Sequence, residues 1–230
     1  MNEKLKLKIL HCFFPNKCAC CKKIISPQQI FCKACKGEFE MTKGKRCKIC
    51  FALKEKCDCQ RNPKFFFRSV SPFVYKNSLC NALITLKRIK HKRLAKYFAV
   101  EIHKNIEKKY KNVNFDAIIP VPLYASRRKQ RGFNQSMLLA KELSDIMRVP
   151  VMEKALVQHE KAKAQHTLRY KQRKDNVKGI YRAANIPIEY QRILLVDDIM
   201  TSGATLNECA KMLRLEGVTK IYCITAAKTE

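Results

Sequence analysis

The stretch Ile193-Leu194-Leu195-Val196-Asp197-Asp198-Ile199-Met200-Thr201-Ser202-Gly203-Ala204-Thr205 decides the fold. Its first part is wholly apolar and ends in two adjacent carboxylates, as in a buried strand whose carboxyl end carries acid. A turn of Thr, Ser and Gly follows, and residues 206–215 then repeat apolar side chains at helical spacing. Gly217 stands where a helix end favours a left-handed residue, and residues 220–225 form the next strand. Strand, turn, helix, strand is the unit of an α/β body with a mostly parallel sheet. Such sheets bind ligands at the carboxyl ends of their strands, the end that holds Asp197 and Asp198.

The turn has a chemistry of its own. Backbone N–H groups of a Gly-containing turn at a helix N-terminus point outward together and favour phosphate. Thr201, Ser202 and Thr205 add hydroxyl donors around Gly203 and Ala204. Two carboxylates beside such a turn repel a bare phosphate unless they hold something else. Ribose hydroxyls donate well to carboxylates, and a nearby Mg2+ would offset the charge. A sugar phosphate satisfies all of these groups together. The turn is not a Walker loop, since no Gly-Lys-Ser/Thr is present. The plainer alternative is an acid pair capping a helix.

Working outward, residues 79–89, 94–106 and 134–147 carry apolar side chains at helical spacing. Residues 116–122 form a short apolar run bounded by prolines, a buried strand end, and a β segment follows near residues 149–152. The aromatic runs Phe65-Phe66-Phe67-Arg68-Ser69-Val70 and Pro72-Phe73-Val74-Tyr75 read as strands. Residues 158–175 are polar and basic without a period, a long loop or hairpin.

The chain has 13 cysteines, and ten lie between Cys12 and Cys59. Cys18-x2-Cys21 and Cys32-x2-Cys35 have metal-knuckle spacing, and paired knuckles complete a tetrahedral zinc site. A redox Cys-x2-Cys opens a helix after a strand and does not come in pairs. A second set, Cys47-x2-Cys50 with Cys57-x-Cys59, has one residue between its last two thiols, so the reading allows one zinc or two. Four thiolates close the coordination sphere, which makes the metal structural. Cys12 and Cys20 are spare; Cys80, Cys209 and Cys223 read as small buried hydrophobes. Composition changes near Pro63, dividing a Cys-rich lobe at residues 1–62 from an α/β domain at residues 63–230.

Lys and Arg total 48 against 19 Asp and Glu, a net charge of +29. That favours polyanionic partners, although Lys outnumbers Arg and a Lys-rich composition alone produces the same excess. No apolar run approaches the roughly 20 residues of a membrane span. Residues 1–10 lack the apolar core of a signal peptide. A cytoplasmic location with reduced thiols is expected.

The long stretch quoted first resembles the 5-phosphoribosyl-1-diphosphate motif of type I phosphoribosyltransferases. With Ile119-Pro120-Val121-Pro122-Leu123 and Arg131-Gly132-Phe133-Asn134-Gln135, and the paired Cys knuckles in front, the chain resembles the ComF family of competence proteins. The one-residue spacing of Cys57 and Cys59 departs from that family's pattern. The resemblance implies that Asp197 and Asp198 hold the ribose hydroxyls near Mg2+. It implies that Thr201, Ser202, Gly203, Ala204 and Thr205 cradle the 5-phosphate. Arg127, Arg128 and Arg131 are the implied diphosphate cations, and residues 165–176, with Arg173, resemble the mobile loop over the reacting centre. It further implies phosphoribosyl diphosphate, single-stranded DNA and other DNA-uptake proteins as partners. Two other functions compete. A purine or pyrimidine phosphoribosyltransferase of salvage needs a base-reading hood, for which only residues 63–110 or the basic loop are at hand. A non-enzymatic DNA-binding adaptor would keep the sugar-phosphate site as a relic.

Overall fold

The computed structural model describes residues 15–159 and 179–230. The readings for residues 1–10, for Cys12 and for the 165–176 loop with Arg173 lie outside the described residues. The chain begins with two cysteine knuckles built alike. Lys17 bridges to Ile24 across the first, and Arg46 bridges to Leu53 across the second. The Cys18 N–H donates to Lys23 O at 2.8 Å, and the Cys47 N–H donates to Ala52 O at 2.8 Å. Each turn closes on a left-handed residue, Lys22 at φ 65° and Phe51 at φ 57°. The short helix α1 (Lys33–Gly37) lies between them, with Cys32 as its N-cap.

The remaining elements are β1 (Arg68–Val70), β2 (Phe73–Val74), α2 (Asn77–Arg88), α3 (Lys92–Lys109), β3 (Ala117–Pro120), α4 (Ala125–Arg131) and α5 (Gln135–Met147). They are followed by β4 (Leu156–Gln158), β5 (Tyr181–Ala183), β6 (Arg192–Met200), α6 (Ala204–Leu215) and β7 (Lys220–Lys228). The main sheet runs β1, β7, β6, β3, with β2 continuing the β1 edge of β7, and every pairing is parallel. Val151 adds one parallel bridge beyond β3. Strands β4 and β5 form a separate antiparallel pair at the base of the basic loop.

Almost every residue of β6 and β7 is buried, the condition of a parallel strand covered on both faces. Helices α3 and α5 pack together on one face. Helix α6 forms the crossover between the adjacent parallel strands β6 and β7 and packs against both. Register at the start of β6 is clamped by Asp116 Oδ2, which accepts from the N–H groups of Gln191 and Arg192 at 2.8 and 2.7 Å. The structure extends β6 through both acids to Met200, and β7 to Lys228, past the boundaries read from the sequence. Helix α4 was not expected, because Ala-Ser-Arg-Arg-Lys-Gln-Arg has no apolar face and buries nothing. Of the three outlying cysteines, Cys209 and Cys223 are buried, whereas Cys80 is half-buried and interacts with Tyr75.

The knuckles share their core with the α/β body. Phe31 meets Phe39 and Tyr97 edge-on at 4.9 Å each, and Phe39 reaches Phe73, which meets Phe98. Thr85 of α2 donates to Ala19 O and accepts from Lys22 Nζ, both at 2.7 Å. Arg93 donates to Pro27 O and Gln28 O at 2.7 and 2.6 Å. No helix among the described residues is long and apolar enough to cross a membrane. Because the aromatic chain is continuous, Phe31→Ala should destabilise by about 3–5 kcal/mol. Urea denaturation should show one transition shifted as a whole. Two resolved transitions, with the second at its wild-type midpoint, would show the knuckles to be an independent unit.

Candidate functional site

The carboxyl end of β6 opens into a cavity of about 480 Å³. Its wall includes Asp197, Asp198, Thr201, Ser202, Ala204 and Thr205 from the quoted stretch, together with Arg127 and Arg131. The structure thus brings together most of the side chains picked out from the sequence. Gly203 lies behind them as the N-cap of α6 at φ 77°, a left-handed backbone that a side chain would strain. A Cβ there would meet Met200 Sδ at 3.5 Å. The first N–H groups of α6 lack intrahelical partners, as at any helix start; that of Ala204 donates to Ser202 Oγ at 3.4 Å, and Ala204 and Thr205 line the cavity. Arg128 does not line this cavity. It faces a neighbouring one between α4 and α5, with Phe133 and Glu142.

The Arg-Gly-Phe-Asn-Gln segment is a brace for the acids. Gly132, at φ 75°, ends α4, and Arg131 donates to Gln135 Oε1 at 3.1 Å. Asn134 caps α5 by accepting from the Ser136 N–H and ties back to Val121 O, both at 2.9 Å. Ser136 then donates to Asp197 Oδ1 at 2.8 Å. The sequence reading stopped one residue short of Ser136, which is 1% exposed. A serine at a helix start carries no sequence signal of a carboxylate partner; the packing of α5 against β6 supplies it.

Lys87 is the second residue that sequence reasoning missed as part of the site. It sits in the last turn of α2, and its Nζ lies 2.9 Å from Asp198 Oδ2. Among the described residues, buried Oδ2 has this charge partner and no other donor. Asp198 Oδ1 accepts from the Ile199 N–H at 3.0 Å. Two buried carboxylates with an oxygen lacking any other donor form a hard-oxygen set suited to Mg2+.

Burial, and then the charge of Asp198, push the Asp197 carboxyl up to about 8, against donors from Ser136 and the Asp198 N–H. Without a cation, Asp197 therefore retains a proton near neutrality. Burial likewise pushes the Tyr181 phenol up on the opposite wall. Tyr181 accepts from Gln158 Nε2 at 3.1 Å, which joins the two strands of the hairpin beside the site.

A separate chemistry occupies the knuckles. Among the described residues, Cys18, Cys21, Cys32 and Cys35 form one cluster and Cys47, Cys50, Cys57 and Cys59 another; in each, all four sulfurs lie within 4.8 Å of one another. The Sγ atoms of Cys21 and Cys32 are 3.7 Å apart, those of Cys47 and Cys59 3.9 Å, and those of Cys50 and Cys57 3.7 Å. Disulfide sulfurs would be about 2.05 Å apart. Tetrahedral zinc with Zn–S bonds of about 2.3 Å puts its sulfurs about 3.8 Å apart. The short Cys57-x-Cys59 spacing therefore delivers a full ligand set. Burial opposes ionisation of Cys18, but N–H donors from Cys21, Cys32 and Cys20 outweigh it and hold the thiol down to about 6. Cys20 lies outside the cluster, and burial pushes it up.

Residues 92–229 match the model of the "Phosphoribosyl transferase domain" family. The chain is 41% identical to "Competence protein F" of Haemophilus influenzae over 46% of this chain and 47% of that protein. It is 33% identical to "DNA utilization protein YhgH" of Escherichia coli K12 over 47% of this chain and 48% of that one. It spans about half the length of these two relatives. It is 25% identical to "Competence protein ComFC" of Bacillus subtilis over 84% of this chain and 82% of that protein.

Metal analysis of the purified chain should find two zinc ions per chain, and Cys32→Ser should remove one of them and lower stability. A folded protein free of zinc would refute this. The acid pair has its own signature. A carboxyl raised to about 8 in the fold stays protonated there after it ionises in the unfolded chain near pH 4. Its stabilising contribution is therefore complete below about pH 4 and is lost as pH rises toward 8. In zinc-loaded protein without added Mg2+, Asp197→Asn should gain on wild type across that window, by at least about 1 kcal/mol at pH 8. Thermal melts at a series of pH values would reveal the gap, and a constant difference would refute the raised carboxyl.

Proposed function

The chain belongs to the phosphoribosyl transferase domain family, and on that premise we propose that it binds 5-phosphoribosyl-1-diphosphate with Mg2+ and handles single-stranded DNA during uptake. The observation that carries the first half is the convergence, in one cavity, of the acid pair, the α6 N-terminus and Arg127 with Arg131. Ribose hydroxyls would donate to Asp197 and Asp198. The 5-phosphate would lie on the N–H groups and hydroxyls of residues 201–205. Arg127 and Arg131 face the same space and suit a diphosphate through their forked donors. Bound Mg2+ would neutralise the departing diphosphate and the acids.

The reaction such a site supports is displacement at ribose C1. The C1–O bond to diphosphate breaks, its electron pair leaves with the diphosphate, and an acceptor supplies the new bond. Buried carboxylates stabilise positive charge as it develops on the sugar ring. The cysteine clusters, closed by four thiolates, would hold structural zinc and leave no position for a reacting water.

The DNA half is supported by the printed names of the competence and DNA-utilization relatives and by the net charge of +29. The structure narrows the aromatic surface that the sequence offers. Phe66 is buried, and Tyr97 is absorbed in the Phe31 cluster. Phe65 and Phe67 stay 42% and 47% exposed. Lys211 lies 6.0 Å from the Phe65 ring, and Arg68 lies 6.0 Å from that of Phe67. Exposed rings beside cations can stack bases while the charges follow phosphates.

Two variants separate the halves. In calorimetry with and without Mg2+, Asp197→Asn should abolish phosphoribosyl diphosphate binding and leave binding of an oligothymidylate intact. Phe65→Ala combined with Phe67→Ala should do the reverse, weakening the oligonucleotide by tenfold or more, since one stacked base contributes about 1–3 kcal/mol. Unchanged affinity for phosphoribosyl diphosphate in Asp197→Asn would place that ligand elsewhere. Diphosphate released only when a base is added would identify turnover and its acceptor.

A further inference from the structure

We propose that Lys87 is a resident counter-cation of the acid pair, positioned through the first cysteine knuckle, and that it competes with the divalent cation for Asp198. This deepens the reading above and rests on the acid pair taking such a cation.

The geometry is specific. Lys87 Nζ is 2.9 Å from Asp198 Oδ2, and the two side chains are 29% and 6% exposed. A carboxylate this buried needs a partner, and among the described residues Oδ2 has none other than Lys87. Lys87 meets it from another element, joining the end of α2 to the end of β6. The position suits a cation, because the C-terminal turn of a helix carries partial negative charge.

Lys87 is also held from behind. Two residues earlier on α2, Thr85 donates to Ala19 O and accepts from Lys22 Nζ, both at 2.7 Å. Ala19 and Lys22 belong to the turn that presents Cys18 and Cys21 to their cluster. At the other end of α2, Ser78 donates through its N–H and hydroxyl to Glu38 Oε2 at 3.2 and 2.6 Å. The helix that aims Lys87 is therefore fastened at both ends to the cysteine-rich segment.

The consequence is electrostatic. Without a cation, the acid pair would repel a diphosphate ester approaching through the same cavity. An ammonium at Asp198 removes one unit of that repulsion. A divalent ion entering the site must displace the ammonium or accept it as a like-charged neighbour, so Lys87 weakens metal binding to the free protein. The four-carbon stem lets the displaced ammonium turn toward the cavity, where Lys87 already forms part of the wall. The protein thus captures its diphosphate ligand with less dependence on metal than a bare acid pair would have.

The test uses Mn2+ alone with the full-length chain. Mn2+ ranks below zinc for thiolate ligands, so the cysteine clusters should not take it up. Calorimetric or spin-resonance titration should show Lys87→Met binding Mn2+ about tenfold more tightly than wild type, since a like charge a few ångströms away has been removed. Lys87→Arg should stay near wild type, and Asp198→Asn should lose the site. Thr85→Val, which removes the α2 partner of Ala19 and Lys22 while keeping the shape of the side chain, should shift Mn2+ affinity in the direction of Lys87→Met. A misfolded variant would weaken binding, so tightening cannot come from damage. The same variants titrated with phosphoribosyl diphosphate should show a larger ratio of affinities with and without Mg2+ in Lys87→Met. If Mn2+ binds wild type and Lys87→Met alike and is lost in Asp198→Asn, the role of Lys87 is overturned and the acid site stands. If no variant binds Mn2+ at the acid pair, both readings fall.

Discussion

Two carboxylates buried side by side at the end of a parallel strand are costly to ionise, and much of the surrounding structure answers that cost. Asp197 and Asp198 follow Ile193–Val196, whose burial is complete, so their main-chain position is set by the core and not by solvent. Asp197 receives Ser136 from α5, and Asp198 receives Lys87 from α2. These partners come from α2 and α5, on either side of β3 in the sequence, so the acid pair draws distant parts of the chain to one point. The upward push on the Asp197 carboxyl is what these partners leave uncompensated. A metal ion with a polyol ligand would supply what is lacking, which is why the pair is better explained by a ligand than by stability alone.

The sequence was most legible where one period dominated. The alternation of strand, turn and helix from Ile193 to Thr225 could be read because a buried strand is wholly apolar and α6 has an amphipathic stripe. The Cys-x2-Cys pairs could be read because metal geometry restricts spacing. Helix α4 was opaque because it buries nothing, and its arginines looked the same in a loop as in a helix. Ser136 and Lys87 were opaque for a different reason. A serine and a lysine are ordinary at helix ends, and only the tertiary crossing of α5 and α2 over β6 gives them a carboxylate. Aromatic clusters misled in the opposite sense, since Phe66 and Tyr97 share the local composition of the exposed Phe65 and Phe67 but face the core.

The knuckles show how a segment with few apolar residues keeps a fixed form. Each repeats the same backbone, with a bridge outside the thiols and a left-handed residue after the second cysteine, although one places Lys22 there and the other Phe51. A non-glycine residue in that conformation costs about 1–2 kcal/mol. Each has tertiary contacts that offset this cost. Lys22 reaches Thr85, and Phe51 is buried beneath Arg46, whose guanidinium lies 5.2 Å from its ring. The Lys22 contact also docks the first knuckle on the α/β body, and the pairing of Arg46 with Glu230 docks the second. Local strain and domain docking are therefore linked, and glycine at either place would relax the turn while removing the contact.

The use of two kinds of cation around one cavity argues against charge as composition only. Lysine is much the commoner base in this chain, yet Arg127 and Arg131 supply the α4 side of the wall and a lysine meets the acid pair. A guanidinium is flat, permanently charged and forked, which suits a fixed anion such as a diphosphate. An ammonium is a compact charge on a flexible stem, which suits a partner that must later yield its place. Random enrichment in lysine would favour lysine at each position with no regard to its geometry. On the proposed reading, the division of labour follows the chemistry of the groups each cation faces, and it sets these three side chains apart from the general excess of positive charge.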